Sequence, residues 1–336
     1  MILGRKGGVK SLVRARKIIS KFSQGKILVV GDLILDEFIW GKVNRISPEA
    51  PVPVVCVESE SFMPGGAANV ASNIAALGGE VYLSGVVGND KNADILLDEM
   101  RKQKVDVGGV VIDGDRPTIM KTRIIAHHQQ VVRVDRERSE FMSDNIAGQI
   151  LGYVRRKIDD VDAIIIEDYG KGVITAKLLA KIIPMARAHK KIIMVDPKAD
   201  HFSYYKGVTC ITPNLQEAQE ISGIKIKTDS DIIRVGKKII KELNAQTVLL
   251  TLGEDGMKLF IKNGKIKHIS TVAQDVFDVS GAGDTVIAAF TLGLSCGARA
   301  EDAAYIANYA AGIVVGKVGV AAITKEELTR KIRANK

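Results

Sequence analysis

Residues 163–195 read AIIIEDYGKGVITAKLLAKIIPMARAHKKIIMV. Two short apolar runs, Ala163–Ile166 and Ile192–Val195, stand on either side of a helical pattern over Ala176–Ala188. Runs this short and this continuously apolar read as strands buried on both faces. A strand, a crossover helix and a second strand make two parallel neighbours in one sheet. The alternation extends in both directions. Lys26–Gly31 (KILVVG), Val81–Val87, Val208–Ile211 and Thr247–Thr251 read as further strands. Ala67–Leu77, Asp94–Gln103, Asp144–Lys157, Leu215–Ser222 and Asp229–Leu243 read as helices. The expected fold class is α/β, a mainly parallel sheet flanked by helices on both faces.

Two stretches break the rhythm. Val52–Glu58 (VPVVCVE) follows the proline-rich Ser47–Pro53, and Thr118–Asp135 is β-rich with no helix, its IMKTRIIA and VVRVD halves flanking His127–Gln130. Together they predict a small β lid subdomain over the strand ends. The expected division is a basic N-terminal extension, residues 1–25, and a main domain, residues 26–334, with lid segments at about 42–60 and 116–137.

At 336 residues, with 46% hydrophobic and 26% charged, the chain has ample material for a buried core. No run of 18 apolar residues occurs, which excludes a transmembrane helix of the usual kind. The net charge of +9 would suggest a polyanion partner. Eight of the 48 basic residues, however, lie in residues 1–26, where there is no acid, leaving 40 against 39 elsewhere. The body is near neutral, so nucleic acid is not the expected partner. The leader has no apolar core of a secretory signal. Its stretch Ser11–Phe22 spaces Leu12, Ile18, Ile19 and Phe22 as an amphipathic helix, expected to pack on the body. Cys56, Cys210 and Cys296 have no metal-ligand spacing and read as buried apolar residues of a reducing, cytoplasmic compartment. His127 and His128, adjacent in a strand, would face opposite ways and cannot share a metal.

The strongest chemical signal is Asp278-Val279-Ser280-Gly281-Ala282-Gly283-Asp284-Thr285, followed by the helical VIAAFTLGL. Gly281, Ala282 and Gly283 then open a helix, where unpaired N–H groups and the positive dipole end attract an anion. Asp284, in the first turn, can take a proton from a hydroxyl beside that cradle. First-turn acids also serve simply to offset the dipole, and the same dipole is expected to keep Asp284 ionised.

This octet resembles the C-terminal signature of the ribokinase/PfkB family of sugar kinases. Gly65-Gly66-Ala67-Ala68-Asn69-Val70-Ala71 is similar to the family's glycine-rich motif, Pro213-Asn214-Leu215-Gln216-Glu217 to its N-x-x-E element, and Thr251-Leu252-Gly253-Glu254-Asp255-Gly256 to its nucleotide-binding T-x-G-x-x-G. The four occur in the family's order across roughly residues 26–330. The resemblance implies a ribokinase-like fold and an ATP-dependent phosphotransferase with an alcohol acceptor. It implies that Asn214, Glu217, Thr251, Gly253, Gly256, Lys198 and Asn308 serve ATP. Glu217 would hold Mg²⁺ through water, and Asp278 and Ser280 would help hold a monovalent cation such as K⁺. Asp32, Asp36, Gly65, Gly66 and Asn69 would meet the sugar at the strand ends. Each motif also has a plainer reading: a glycine turn before a helix for Gly65-Gly66, a capping box for Asn214 and Glu217, turn chemistry for Asp32, a surface lysine for Lys198.

Arg45–Val55 (RISPEAPVPVV), His127–Asp135 and Asp168–Gly172 are similar to the heptose 7-phosphate kinase branch of the family. That branch transfers the ATP γ-phosphate to O1 of D-glycero-β-D-manno-heptose 7-phosphate for lipopolysaccharide core precursors. A phosphorylated sugar needs cations at the far end of the cleft, and Arg123, Arg133 and Lys171 are the candidates. Bifunctional relatives carry a cytidylyltransferase-like domain with an H-x-G-H motif. None follows Ile323 in these 336 residues, so the expectation is a stand-alone kinase or the kinase portion of a longer protein. A homodimer joined through the lid is also expected. The rival readings are a kinase of another sugar, a non-catalytic binding module of the same fold, and a polyanion-binding protein.

Overall fold

The computed structural model describes residues 13–127, 129–273, 276–317 and 321–334. After a first helix α1 (residues 13–19), β1 (Lys26–Gly31) leads into two long strands, β2 (Leu33–Ile46) and β3 (Pro53–Gly66). There follow α2 (Ala67–Ala76), β4 (Glu80–Val87), α3 (Lys91–Lys102), β5 (Asp106–Ile112), β6 (Ile119–Ala126), β7 (Gln129–Arg136) and α4 (Asp144–Lys157). The central run is β8 (Ala163–Glu167), α5 (Ala176–Ala188), β9 (Ile192–Asp196), β10 (Cys210–Ile211), α6 (Leu215–Ser222) and α7 (Asp229–Leu243). The chain closes with β11 (Thr247–Thr251), β12 (Met257–Ile261), β13 (Ile266–Ile269), α8 (Ala282–Ser295), α9 (Ala300–Val314) and α10 (Lys325–Ala334).

Nine strands form the main sheet in the order β13-β12-β11-β10-β9-β8-β1-β4-β5. From β11 to β5 every pairing is parallel, and β12 and β13 add an antiparallel edge. Alternate residues feed two cores, as the pleat requires. Ile27, Val29, Ala163, Ile165 and Met194 join the core with α1, α2, α3, α8, α9 and α10. Leu28, Val30, Ile164, Ile166, Ile193 and Val195 join the core with α4, α5, α6 and α7. The extension helix packs on the first of these, with Ala15, Ile19 and Phe22 buried and Arg14 paired with Asp302 of α9. Removing a side chain such as Phe22 from water contributes ~1.5–3 kcal/mol. Leu12 and His128 lie outside the described residues.

The second sheet has the order β3-β2-β6-β7. It is larger than the sequence suggests: β2 runs without interruption from Leu33, beside β1, to Ile46, and β3 returns as far as Gly66. Two side-chain readings change. His127 is not in a strand but in the β6–β7 turn with φ +50°, its Nε2 3.1 Å from the Val43 carbonyl. Cys210 is buried as expected, whereas Cys56 is exposed on the lid and Cys296 half-buried. Among the described residues no helix is long and apolar enough to cross a membrane.

Candidate active site

The octet folds as its residue types dictate. Gly281 caps α8 in the left-handed region (φ +74°) and supplies no side-chain acceptor to the first turn. The Ala282 N–H donates back to Val279 (3.2 Å), so the cradle lacks that amide. Asp284 is buried, its Oδ2 accepting from Asn69 Nδ2 (2.5 Å) and its Oδ1 from the Tyr169 hydroxyl (3.2 Å). Burial pushes its pKa up to about 6 despite these donors and the nearby Lys121. Desolvation thus outweighs the dipole in setting the pKa, which still lies below neutral pH, so the carboxylate remains mostly ionised there.

The Asn69 amide donates to Asp284, and Asn69 is held in turn by Asn73, whose Nδ2 donates to the Asn69 carbonyl (2.9 Å) and Oδ1 (3.1 Å). The Thr285 hydroxyl donates to Asn73 Oδ1 (2.9 Å), closing a wholly buried chain between α2 and α8. Asp32 is buried against the backbone of a neighbouring loop. Its Oδ2 accepts from the N–H of Tyr169 (2.9 Å) and Lys171 (3.0 Å), and its Oδ1 from Val173 (3.1 Å), pinning the loop after β8. Burial raises its pKa to about 6.

Asp36 is different. It lies on the face of the lid sheet that also carries Phe38, Lys121, Arg123, Arg133 and Asp135, by register and the period of two. Arg123 Nη1 donates to Asp36 and its guanidinium stands 5.3 Å from the Phe38 ring centre. Lys121 stands 5.6 Å over the Tyr169 ring, and burial pulls its pKa down. Lys171 Nζ is 2.5 Å from Glu137. Arg133 lies on the same face but half-exposed at the edge, paired with Asp135 (2.8 Å). Gly65 and Gly66 are glycines because a Cβ would sit 2.3 Å from Asp36 Oδ2 and 2.5 Å from the Asp32 carbonyl respectively.

Across the N-terminus of α8 from this face is a cleft of about 830 Å³, bounded by Asn214, Thr251, Gly253, Gly256, Gly283 and Asn308 among others. Asn214 and Glu217 form the capping box of α6 (2.9 and 3.0 Å), and partial burial raises the Glu217 pKa. Asn308 bounds the cleft while its amide donates to the Ser270 carbonyl (2.8 Å). Lys198 is exposed beside Gly170, within electrostatic reach of Glu217. Asp278 Oδ1 accepts from the Ser280 N–H (2.8 Å).

Sequence reasoning missed Lys121, Tyr169, Asn73, Glu167 and Asp196. Glu167 and Asp196 terminate β8 and β9, and the carboxyl ends of parallel strands were the available signal.

Residues 24–327 match the model of the pfkB family carbohydrate kinases. The chain is 45% identical over 301 residues to the bifunctional protein HldE of Geobacter metallireducens, covering 90% of this chain and 61% of that one. It is 42% identical over 318 residues to HldE of Wolinella succinogenes, covering 95% and 67%. It thus spans about three-fifths to two-thirds of these curated relatives. Among solved structures, ribokinase of Arabidopsis thaliana with ribose and ATP superposes with a TM-score of 0.73 at 19% identity, over 92% of this chain and 98% of that one. Phosphofructokinase-2 of Escherichia coli in complex with potassium gives 0.76 at 16%, over 92% and 98%. The architecture is therefore ribokinase-like, and with its α8 aspartate between a cleft and a basic lid face the chain belongs to the pfkB family of carbohydrate kinases, phosphotransferases with an alcohol acceptor.

Proposed function

We propose that this kinase transfers the γ-phosphoryl group of ATP to O1 of D-glycero-β-D-manno-heptose 7-phosphate, giving the 1,7-bisphosphate for ADP-heptose and lipopolysaccharide core synthesis. The observation that carries the reading is the position of Asp284 between the cleft at Thr251–Gly256 and the Lys121–Arg123 face of the lid. The likeness to proteins named HldE supports the choice of sugar.

ATP would lie in the cleft with its phosphates toward Gly283. Asp36 would accept a sugar hydroxyl, and Lys121, Arg123, Lys171 and Arg133 would meet the 7-phosphate. Asp284 takes the O1 proton as O1 bonds to the γ-phosphorus and the bond to the bridging oxygen breaks, releasing ADP. The Asn69 amide and Tyr169 hydroxyl hold the carboxylate in line, so catalysis is mostly positioning and electrostatics. The oxygen-only donors at this end of the sheet fit a hard cation. Glu217 would hold Mg²⁺ through water, and Asp278 and Ser280 a K⁺ ion; Mg²⁺ supplies neutralisation of the phosphate charge. The other face of the lid exposes Val132 and Val134, which supports a homodimer joined there. The expected setting is cytoplasmic.

The test is ATP consumption with the heptose 7-phosphate beside ribose, fructose 6-phosphate and adenosine. Turnover confined to the heptose phosphate is expected. Turnover on another sugar alone discards the substrate, and none on any discards the reading.

A further inference from the structure

At the amino ends of β9, β10 and β11, the opposite end of the sheet from Asp284, lies a hollow of about 380 Å³. Arg187 from the last turn of α5, Lys190 and Lys191 just after it, and Lys262 just beyond β12 bound it. Among the described residues none of the four has a carboxylate partner; the acids beside them are taken, Asp159 by His189 Nδ1 (2.7 Å) and Glu242 by Lys238 (3.7 Å). Lys191 Nζ donates to the Asp159 carbonyl (3.2 Å) and Lys262 Nζ to Asn244 Oδ1 (2.6 Å). Gly207 makes room for the arginine: its φ is +85°, and a Cβ there would stand 2.8 Å from Arg187 Nη1.

Cations at helix C-termini commonly offset the dipole, and α5 and α7 both end here. Two such ends amount to about −1 charge against four cations, which leaves a surplus of about +3. Nor are the cations needed as caps. The amides of His189, Lys190 and Lys191 already donate to the Met185, Arg187 and Ala186 carbonyls, and that of Gly207 to Leu243. Residues 27–336 carry 40 basic and 39 acidic side chains, so the surplus is local and not a sample of a basic surface.

The neutral groups of the lining are donors as well. The Thr209 oxygen accepts from the Ile193 N–H (3.0 Å), which leaves its proton to give. Asn244 keeps its NH₂, and Gln246 adds a second amide. Donors without a carboxylate complement an anion, and an arginine fork fits phosphate oxygens in pairs. The volume is that of a metabolite site. A phosphate monoester carries about −1.5 to −2 near pH 7, so a surplus of about +3 suits two phosphate groups better than one.

We propose that this hollow binds a small anion carrying two phosphate groups, apart from the active site. Gln246, which bounds it, and Thr251, which bounds the cleft, stand at the two ends of β11, five residues or roughly 16 Å apart. An occupant of the hollow therefore does not compete for the cleft.

The experiment is calorimetric titration of pyrophosphate into the full chain at about 0.15 M ionic strength, with the cleft filled by excess AMP-PNP. Fructose 1,6-bisphosphate and inorganic phosphate are titrated alongside. One saturable site per chain is expected, at least tenfold weaker in Arg187→Gln and Lys262→Gln and unchanged in Arg123→Gln, whose side chain belongs to the lid. Circular dichroism checks each variant's fold. Tighter pyrophosphate assigns the site to a joined diphosphate and tighter fructose bisphosphate to two separate phosphates; either upholds it. No saturable site, wild-type affinity in both remote variants, loss in Arg123→Gln instead, or inorganic phosphate bound as tightly as the others overturns it. Binding is read without turnover, so failure of the kinase reading and failure of this site are seen separately.

Discussion

Replacing Gly65 with alanine separates the sugar side of the site from the nucleotide side. The added Cβ would lie 2.3 Å from Asp36 Oδ2 and 3.1 Å from its Cγ, against 3.4–4 Å for ordinary contact. The Asp36 carboxylate must retreat by about 1 Å, since overpacking of this kind is relieved by side-chain displacement at ~1–3 kcal/mol. That retreat breaks its charge-assisted bond to Arg123, in a pair whose side chains are only 8% and 19% exposed. Hydrogen bonds to charged groups are worth ~1.5–3 kcal/mol. If sugar binding uses the same carboxylate, KM for the sugar phosphate rises about 10- to 100-fold, at 1.4 kcal/mol per factor of ten. Gly65 borders Asp36 and Ile34, away from the cleft at Thr251–Gly256, so KM for ATP stays within about twofold. Steady-state kinetics with each substrate varied in turn, beside a melting curve, reads both. A lowered melting temperature with an unchanged sugar KM, or equal losses on the two substrates, refutes the assignment of Asp36.

Asp284→Asn removes the base, and turnover should fall by about 10²–10⁴-fold while a fluorescent ATP analogue still binds; near-normal turnover would sink the role. Because the carboxylate must be ionised and burial raises its pKa to about 6, wild-type kcat/KM should fall about tenfold per pH unit below that value. A flat profile from pH 5 to 7 contradicts it. Asn73→Ala should lower kcat with both KM values kept, and move the inflection upward as the Asn69 donation to Asp284 loosens; an unmoved inflection makes Asn73 merely structural. Lys121→Met removes a cation that favours ionised Asp284, so the inflection should move upward and the sugar KM rise, with partial recovery in Lys121→Arg. Failure of both shifts removes Lys121 from the site.

The helices that sequence located best are those with a side-chain cap. Asp144–Lys157, Ala176–Ala188, Leu215–Ser222 and Asp229–Leu243 begin where Ser143, Thr175, Asn214 and Thr228 accept first-turn amides. The sequence pattern starts α3 at Asp94, three residues late, because Asp90 rather than Asp94 is the cap. The glycine–aspartate cradle was legible because an anion at a helix start needs small residues next to one another in the chain. Glu167 opposite Asp196, and Lys121 opposite Asp36, were not, because those meetings depend on strand register. The full length of β2 was hidden by its mixed polarity: the inner half is buried like a core strand and the outer half exposed. The ionisation of Asp284 and the partners of Asn69 and Asp32 are tertiary facts, set by burial and by loops distant in sequence.

That β2 is a single unbroken strand gives the lid the mechanics of a lever. Its inner end, Leu33, is separated from β1 by Asp32 alone, and its outer end, Ile46, is thirteen residues further on. At about 3.3 Å per residue the tip stands roughly 43 Å from the root, and Asp36 only about 10 Å. A rotation about the root that carries the tip through ~8 Å therefore displaces Asp36 by only about 2 Å. The register shifts at Trp40/Gly41 and Val43/Arg45 fall beyond Asp36 and concentrate bending there. Such an arm can sweep open for a bulky sugar phosphate while the acid at its base stays close to the reacting centre.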